Sequence, residues 1–117
     1  MIVGIVNIGY GNIAAFEDIF EDLGYSVRNI FRAEEIEGID LLVLPGVGKY
    51  DIAMKELNRR GISIKIIELF AKGDLKILGV CLGMQLLFDF SDEGEERGLG
   101  ILGGHFKRIF CDGIAKI

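Results

Sequence analysis

The sequence predicts one α/β domain over residues 1–117, in three layers, with a mostly parallel sheet and helices on both faces. Short apolar runs alternate with segments whose apolar residues recur at helical spacing. Such alternation requires right-handed crossovers, which make neighbouring strands parallel. The length of 117 residues and the hydrophobic fraction of 50% suit a single folded domain with a core of its own.

The strands are predicted from short apolar runs that end at turn residues. Their lengths and abrupt ends are typical of strands in a parallel sheet. We expect the first, third and fourth strands to be neighbours, in the common order 2-1-3-4. The predicted strands are Met1–Val6, Tyr25–Ile30, Asp40–Leu44 and Lys76–Val80, with a last strand over His105–Phe110.

Four segments between these runs have helical periodicity. Asn12 is placed to cap the first helix and Gly24 to end it. Arg60-Gly61 separates the second helix from the third, and an acidic loop, Ser91–Arg97, follows the fourth. The predicted helices are Asn12–Leu23, Tyr50–Asn58, Ile62–Ala71 and Gly83–Asp89.

The net charge of the chain, its N-terminal sequence and its cysteine content argue against several classes of protein. Thirteen basic and eighteen acidic residues give a net charge of −5, which argues against binding to nucleic acid or to an anionic membrane. The N-terminus has no basic segment typical of a signal peptide, and no apolar run approaches the roughly 20 residues that span a bilayer. Two cysteines in unlike surroundings form no disulfide framework. We therefore expect a cytoplasmic protein.

Three glycine-containing turns follow three of the predicted strands. In an open α/β sheet, ligands bind beyond the carboxyl ends of the strands, so the turns are expected to line one functional edge. They are Asn7–Asn12, Pro45–Gly48 and Gly79–Gly83.

The third turn, G-x-C-x-G, has the nucleophile-elbow pattern with Cys81 in place of serine. Glycines two residues before and after the nucleophile leave room for a tight turn. The helix N-terminus favours the Cys81 thiolate, and the Leu82 amide can donate to an oxyanion. The alternative is that Cys81 is a small buried apolar residue, as most free cysteines are.

The second turn is expected beside Cys81, where the Val47 amide is a candidate second oxyanion donor. An ordinary strand-to-helix turn is the alternative. Gln85 follows Cys81 by one helical turn on the same face, where its amide can orient a substrate amide or carboxylate. A solvated helix residue is the alternative for Gln85.

The first turn fits the dinucleotide fingerprint as Gly9-x-Gly11-x-x-Ala14. That fingerprint also needs an acidic residue at the end of the second strand, and none occurs before Glu34. A tight turn with another purpose is favoured, and no cofactor is expected. The acidic loop lacks the regular oxygen spacing of a metal site, and Cys111 has no cysteine or histidine at ligand spacing, so no metal is expected either.

Taken together, LPGVG at Leu44–Gly48 and GVCLGMQ at Gly79–Gln85 resemble the class I (triad-type) glutamine amidotransferases. Within that family, the Asn7–Asn12 turn, DIAMKEL at Asp51–Leu57 and SDEG followed by GLGIL resemble the glutaminase subunits of imidazole glycerol phosphate synthase. The resemblance extends over essentially the whole chain. It implies a flavodoxin-like fold.

The resemblance also implies roles for individual residues. Cys81 would attack the side-chain amide of glutamine, and the amides of Val47 and Leu82 would form the oxyanion hole. Ammonia would then pass to a (β/α)₈-barrel synthase subunit docked near Gly9–Asn12, for histidine biosynthesis. The residues expected to hold the glutamine are Gly46, Gly48 and Gln85.

Two departures from the family pattern leave alternatives open. Asn7 and Ile8 stand where Asp-Tyr is usual, which leans toward paralogues that supply ammonia for amidation of a surface sugar. The sequence lacks the His-Pro-Glu motif that completes the triad, and His105 is expected to be structural. The chain is therefore expected to be an N-terminal part that is inactive alone. A docking module without chemistry and a small nucleotide-binding domain are the other hypotheses.

Overall fold

The computed structural model describes residues 1–9 and 12–108. The strands of its main sheet are β1 (Ile2–Val6), β2 (Ser26–Ile30), β3 (Leu41–Leu44) and β4 (Lys76–Gly79). Within the described residues these four strands are parallel and lie in the order β2-β1-β3-β4. The predicted order is confirmed, and each strand is one residue shorter than predicted.

The helices are α1 (Ile13–Asp22), α2 (Tyr50–Arg59), α3 (Ile62–Ala71) and α4 (Leu82–Leu86). Asn12 caps α1 as predicted, because its Oδ1 accepts from the Ala15 N–H at 3.4 Å. The bounds of α3 are those that the sequence predicts. None of the helices in the described ranges has the length and hydrophobicity needed to cross a membrane.

The two faces of the sheet carry separate apolar clusters. On one face, α1 places Phe16 and Phe20 against Val3, Ile5 and Val43. On the other face, α2, α3 and α4 pack on a larger cluster that includes residues from all four strands. This arrangement confirms the prediction of three layers with helices on both faces.

The end of α4 differs from the prediction of a helix reaching Asp89. The helix ends at Leu86, and the Asp89 N–H, which a longer helix would direct to the Gln85 carbonyl, donates instead to the Gly104 carbonyl at 3.0 Å. The carbonyl groups that follow the helix accept from the segment after the acidic loop. Leu99 N–H donates to the Leu86 carbonyl at 2.7 Å, and Gly100 N–H donates to the Phe88 carbonyl at 3.1 Å. A short 3-10 helix, Ala33–Ile36, was also missed by the sequence prediction; Glu35 stabilises its start by accepting from the Arg32 N–H at 2.9 Å.

The predicted last strand is present only as β6 (His105–Phe106), and Ile109 and Phe110 lie outside the described residues. It does not extend the main sheet but pairs in parallel with β5 (Phe90–Ser91). The Asp92 N–H donates to the Phe106 carbonyl at 2.7 Å, which fixes this pairing. The acidic loop therefore begins from a small second sheet rather than from the end of a helix.

Gly83 brings the first turn of α4 into contact with the end of β3. A Cβ at this position would lie 1.7 Å from the Leu44 carbonyl oxygen and 2.6 Å from the Leu44 carbonyl carbon. Neither atom can move without displacing the β3 backbone. The position of α4 thus depends on the missing side chain.

Gly83→Ala is expected to destabilise the fold by on the order of 3 kcal/mol, because the added methyl group forces α4 away from β3. Urea unfolding measures the loss. Gly103→Ala is the matched control, since a Cβ there has no atom within 4 Å; its stability should stay within about 1 kcal/mol of wild type. Equal stability of both variants would contradict the packing described.

Candidate active site

Cys81 lies between β4 and α4 in a backbone conformation that side chains rarely adopt. Its φ is 56° and its ψ is −122°, and it is the one non-glycine residue with positive φ in the described ranges. Such a conformation costs about 1–3 kcal/mol and persists only where the surroundings impose it. The thiol is exposed. A strained, exposed nucleophile on a strand-to-helix turn is the defining geometry of the nucleophile elbow.

The glycines on either side of Cys81 make this turn possible. A Cβ at Gly79 would lie 2.8 Å from the Met84 Cα and 2.9 Å from the Gly83 carbonyl oxygen. Gly83 is equally closed to a side chain by the β3 backbone. The sequence argument that both positions must lack a side chain is confirmed.

The Pro45–Gly48 turn lies beside Cys81, as predicted from the strand order. The Val80 N–H donates to the Leu44 carbonyl at 3.0 Å, and the Leu82 N–H donates to the Gly46 carbonyl at 3.2 Å. These bonds continue the β3–β4 ladder beyond the sheet. A Cβ at Gly46 would lie 3.1 Å from that of Leu82, so glycine permits the close approach.

The two expected oxyanion donors do not converge in this conformation. The Leu82 N–H is bonded to the Gly46 carbonyl oxygen. Because a trans peptide is planar, the Val47 N–H points away from that carbonyl and hence away from Leu82. An oxyanion hole made of both amides forms only when the Gly46–Val47 peptide rotates. Gly46 and Gly48 flank Val47, and Gly48 has a φ of 99°.

Gln85 is half-buried one turn along α4 from Cys81. Its Oε1 accepts a hydrogen bond from the Ser91 hydroxyl at 2.9 Å, so the amide is held rather than solvated. Sequence reasoning missed Ser91, which it assigned to a solvated loop. The contact arises because α4 ends early and β5 turns back beside it.

Asp51, in the first turn of α2, holds the acidic loop. Its Oδ1 accepts from the Glu95 and Glu96 N–H groups, both at 2.8 Å. These two backbone donors, Glu96 first, lower the pKa of the Asp51 carboxyl. A Cβ at Gly94 would lie 2.2 Å from the Asp51 Oδ1, so the loop closes tightly over the carboxylate. The sequence offers no signal for this contact beyond an aspartate at a helix N-terminus.

His105 pairs with a carboxylate of the same small sheet. Its Nε2 lies 2.8 Å from the Asp92 Oδ1, and both side chains are exposed. The pKa of Asp92 is lowered first by the Arg108 backbone N–H and then by His105. The pair gives His105 a structural contact within the small sheet.

The remaining sequence candidates fall partly outside the described residues. In the first turn, Tyr10 and Gly11 are not described, while the Gly9 N–H donates to the Asn7 Oδ1 at 3.4 Å. Cys111 also lies outside the described ranges. Across residues 1–9 and 12–108, no three His, Cys, Asp or Glu side chains gather as a metal site would require.

The Glu95 and Glu96 amide protons are expected to report the titration of Asp51, with a midpoint below the ordinary aspartate value of 3.8. Folding lowers the pKa of Asp51, so the ionised carboxylate stabilises the folded protein. This stabilisation is complete above pH 3.8 and is lost as the pH falls through the lower pKa of Asp51 in the folded protein. Proton NMR shifts measure the titration. Asp51→Asn should abolish it, while Asp18→Asn on α1 should leave it intact; a midpoint at or above 3.8 would refute the contact.

The sequence and the fold both match known proteins. Residues 10–99 match the family described as glutamine amidotransferase class-I. The chain is 41% identical over 107 residues to the imidazole glycerol phosphate synthase subunit HisH of Synechococcus sp. (strain CC9605), covering 92% of this chain and 50% of the relative. It is 34% identical over 110 residues to the subunit of that name from Leptospira borgpetersenii, covering 94% of this chain and 54% of the relative.

A solved structure described as a glutamine amidotransferase superposes with a TM-score of 0.81 at 24% identity, covering 91% of this chain and 56% of the other. At that identity the likeness concerns the fold, and it confirms the flavodoxin-like class I amidotransferase architecture. The chain spans about half the length of the curated relatives that it matches. With 90 consecutive residues, 10–99, inside the family match and the elbow at Cys81 in place, the chain belongs to the class-I glutamine amidotransferase family.

Proposed function

We propose that this chain is the N-terminal part of a glutaminase that releases ammonia from glutamine for a synthase subunit, as in imidazole glycerol phosphate synthase. The observation that carries the proposal is the strained, exposed Cys81 on its elbow beside the Pro45–Gly48 turn. The relatives named as subunits of that synthase support the histidine-biosynthetic role. The cytoplasm remains the expected compartment.

The chemistry proposed for Cys81 is acyl transfer. The thiolate attacks the side-chain carbonyl carbon of glutamine and forms a C–S bond, while the carbonyl electrons move to oxygen. Collapse of this intermediate breaks the C–N bond, and the nitrogen leaves as ammonia after it gains a proton. Water then cleaves the thioester, which releases glutamate and restores the thiol.

Two further elements are needed for turnover. The oxyanion requires the Val47 and Leu82 amides, and the Gly46–Val47 peptide must rotate to present them together. The leaving nitrogen requires a proton donor, a role that the family resemblance gives to a His-Pro-Glu region beyond these residues. General acid–base catalysis contributes typically about 10²–10⁴-fold, so residues 1–117 alone are expected to turn over glutamine slowly.

Glutamine itself is proposed to bind between the second turn and α4. Gly48 exposes its backbone to a ligand, and Gln85 presents its amide one helical turn from the thiol. Gly46 is buried beside Leu82, so it is proposed to contact the glutamine only after its peptide rotates. The ammonia is proposed to pass to a (β/α)₈-barrel synthase subunit that docks near Gly9–Asn12. Asn7 and Ile8 favour a surface-sugar acceptor as the second candidate for that ammonia.

A docking module without chemistry is the other candidate function. The hydrogen bond from the Leu82 N–H to the Gly46 carbonyl favours it, because this bond occupies the amide that an oxyanion needs. The strain at Cys81 favours the enzyme, since a docking module gains nothing from it.

A diazo-ketone analogue of glutamine is expected to alkylate Cys81 and to be blocked by glutamine. The elbow exposes this thiol beside the Pro45–Gly48 turn, where an electrophile can reach it. Mass spectrometry of peptides locates the label. Cys81→Ala should abolish labelling, and Cys111→Ala, the matched control, should retain it. Equal labelling of both cysteines would overturn the assignment of the nucleophile.

Calorimetry is expected to detect binding of this chain to a (β/α)₈-barrel synthase subunit. Hydrogen exchange should then slow at residues 7–12 and not at residues 73–76, which lie at the opposite edge of the sheet. Cys81→Ala should bind as wild type does, because the thiol contributes chemistry and not docking. A folded chain that shows neither heat nor protection would disprove the partner.

A further inference from the structure

We propose that Ser91 is a positioning residue, which orients the amide of Gln85 so that its N–H groups face the bound glutamine. The inference rests on the proposed function for the identity of the ligand. It concerns a residue outside the nucleophile and the oxyanion donors. Its basis is one buried hydroxyl and the two hydrogen bonds that it makes.

Ser91 is well shielded from solvent, with 3% of its surface exposed. Its Oγ accepts from the Glu93 N–H at 3.1 Å and donates to the Gln85 Oε1 at 2.9 Å. A buried hydroxyl must find an acceptor for its single hydrogen. The oxygen of the Gln85 amide provides that acceptor, and its nitrogen cannot.

The bond from Ser91 therefore selects one of two orientations of the Gln85 amide. The oxygen and nitrogen of an amide have nearly the same size, so packing alone hardly distinguishes them. With Oε1 held by Ser91, the two N–H donors lie on the other side of the planar group. Gln85 then offers donors, and not an acceptor, to a ligand beside Cys81.

Donors are what a glutamine substrate needs at this place. Its α-carboxylate and its side-chain carbonyl are acceptors, and a carboxylate repels the oxygen of a reversed amide. If the Gln85 amide were free to reverse, its N–H groups would face away from the glutamine for part of the time, and their hydrogen bond to the ligand would be lost. Ser91 removes that loss before the ligand arrives, which is preorganisation of the binding site.

The position of Ser91 is fixed by the backbone around it. It belongs to β5, which pairs with β6, and the next residue, Asp92, donates its N–H to the Phe106 carbonyl at 2.7 Å. Further along, Asp51 anchors the loop at Glu95 and Glu96. The acidic loop is thus held at both ends, and Ser91 cannot follow Gln85 if the amide reverses.

Saturation labelling with the diazo-ketone analogue tests the proposal on the whole 117-residue chain. Ser91→Ala should raise the half-saturating concentration about tenfold, the effect of a weakened hydrogen bond to a charged group. The limiting rate of labelling and the reaction of Cys81 with iodoacetamide should not change. Ser91→Thr, which retains a hydroxyl, should return the concentration toward wild type.

Two controls separate positioning from packing. Ser63→Ala removes another buried serine hydroxyl, one with no partner among the described residues, and should leave labelling unchanged. In a Gln85→Ala background, Ser91→Ala should have no further effect, because Ser91 acts through Gln85. Equal shifts for Ser91→Ala and Ser63→Ala, or additive effects of the Ser91 and Gln85 changes, would overturn the proposal.

A spectroscopic readout keeps this inference separable from the proposed function. Gln85 is the only glutamine in the sequence, so ¹⁵N-glutamine labelling isolates its side-chain amide. Ser91→Ala should increase the mobility of that amide, and Ser91→Thr should restore it. Wild-type labelling that never saturates would overturn the glutamine site, while an amide with unchanged mobility in Ser91→Ala would overturn the role of Ser91.

Discussion

The site depends on the close approach of α4 to the carboxyl end of β3. Gly83 lies against the Leu44 carbonyl group at a distance that excludes any side chain. This approach leaves the chain only a short turn between β4 and α4, and Cys81 occupies it with a positive φ. Strain at Cys81 is therefore a consequence of sheet–helix packing. The free energy of the large apolar cluster beneath α4 offsets it.

The same approach places the Pro45–Gly48 turn where its backbone can serve a ligand. The turn and the elbow are joined by ladder-like hydrogen bonds, the second of which takes the Leu82 N–H. One rotation of the Gly46–Val47 peptide would release that N–H and redirect the one at Val47. In the conformation described here, Cys81 has the strained geometry of an elbow, while the Val47 and Leu82 amides do not face one point.

The acidic loop has a structural role that its composition conceals. Four carboxylates in a short segment suggest a solvated surface, yet the loop is tied to α2 by Asp51, to β6 by Asp92 and to α4 by Ser91. Asp51 and Ser91 make their contacts through side chains, whereas Asp92 donates its backbone N–H to the Phe106 carbonyl. The start of the loop contacts Gln85 through Ser91, and its later part is bonded to Asp51 in the first turn of α2.

Local sequence patterns suffice to predict the sheet order, the bounds of α1, α2 and α3 to within a residue or so, and the elbow at Cys81. Those features rest on local signals: apolar periodicity, the Asn12 cap, and glycines at fixed spacing. Three features emerge only from tertiary contacts: the end of α4, the pairing of β5 with β6, and the contact of Ser91 with Gln85. The first two depend on backbone groups of Leu86–Asp89 and Asp92 finding partners distant in the chain, and the third depends on the position that β5 gives Ser91. No local pattern specifies such partners, because a backbone donor is the same in every residue but proline.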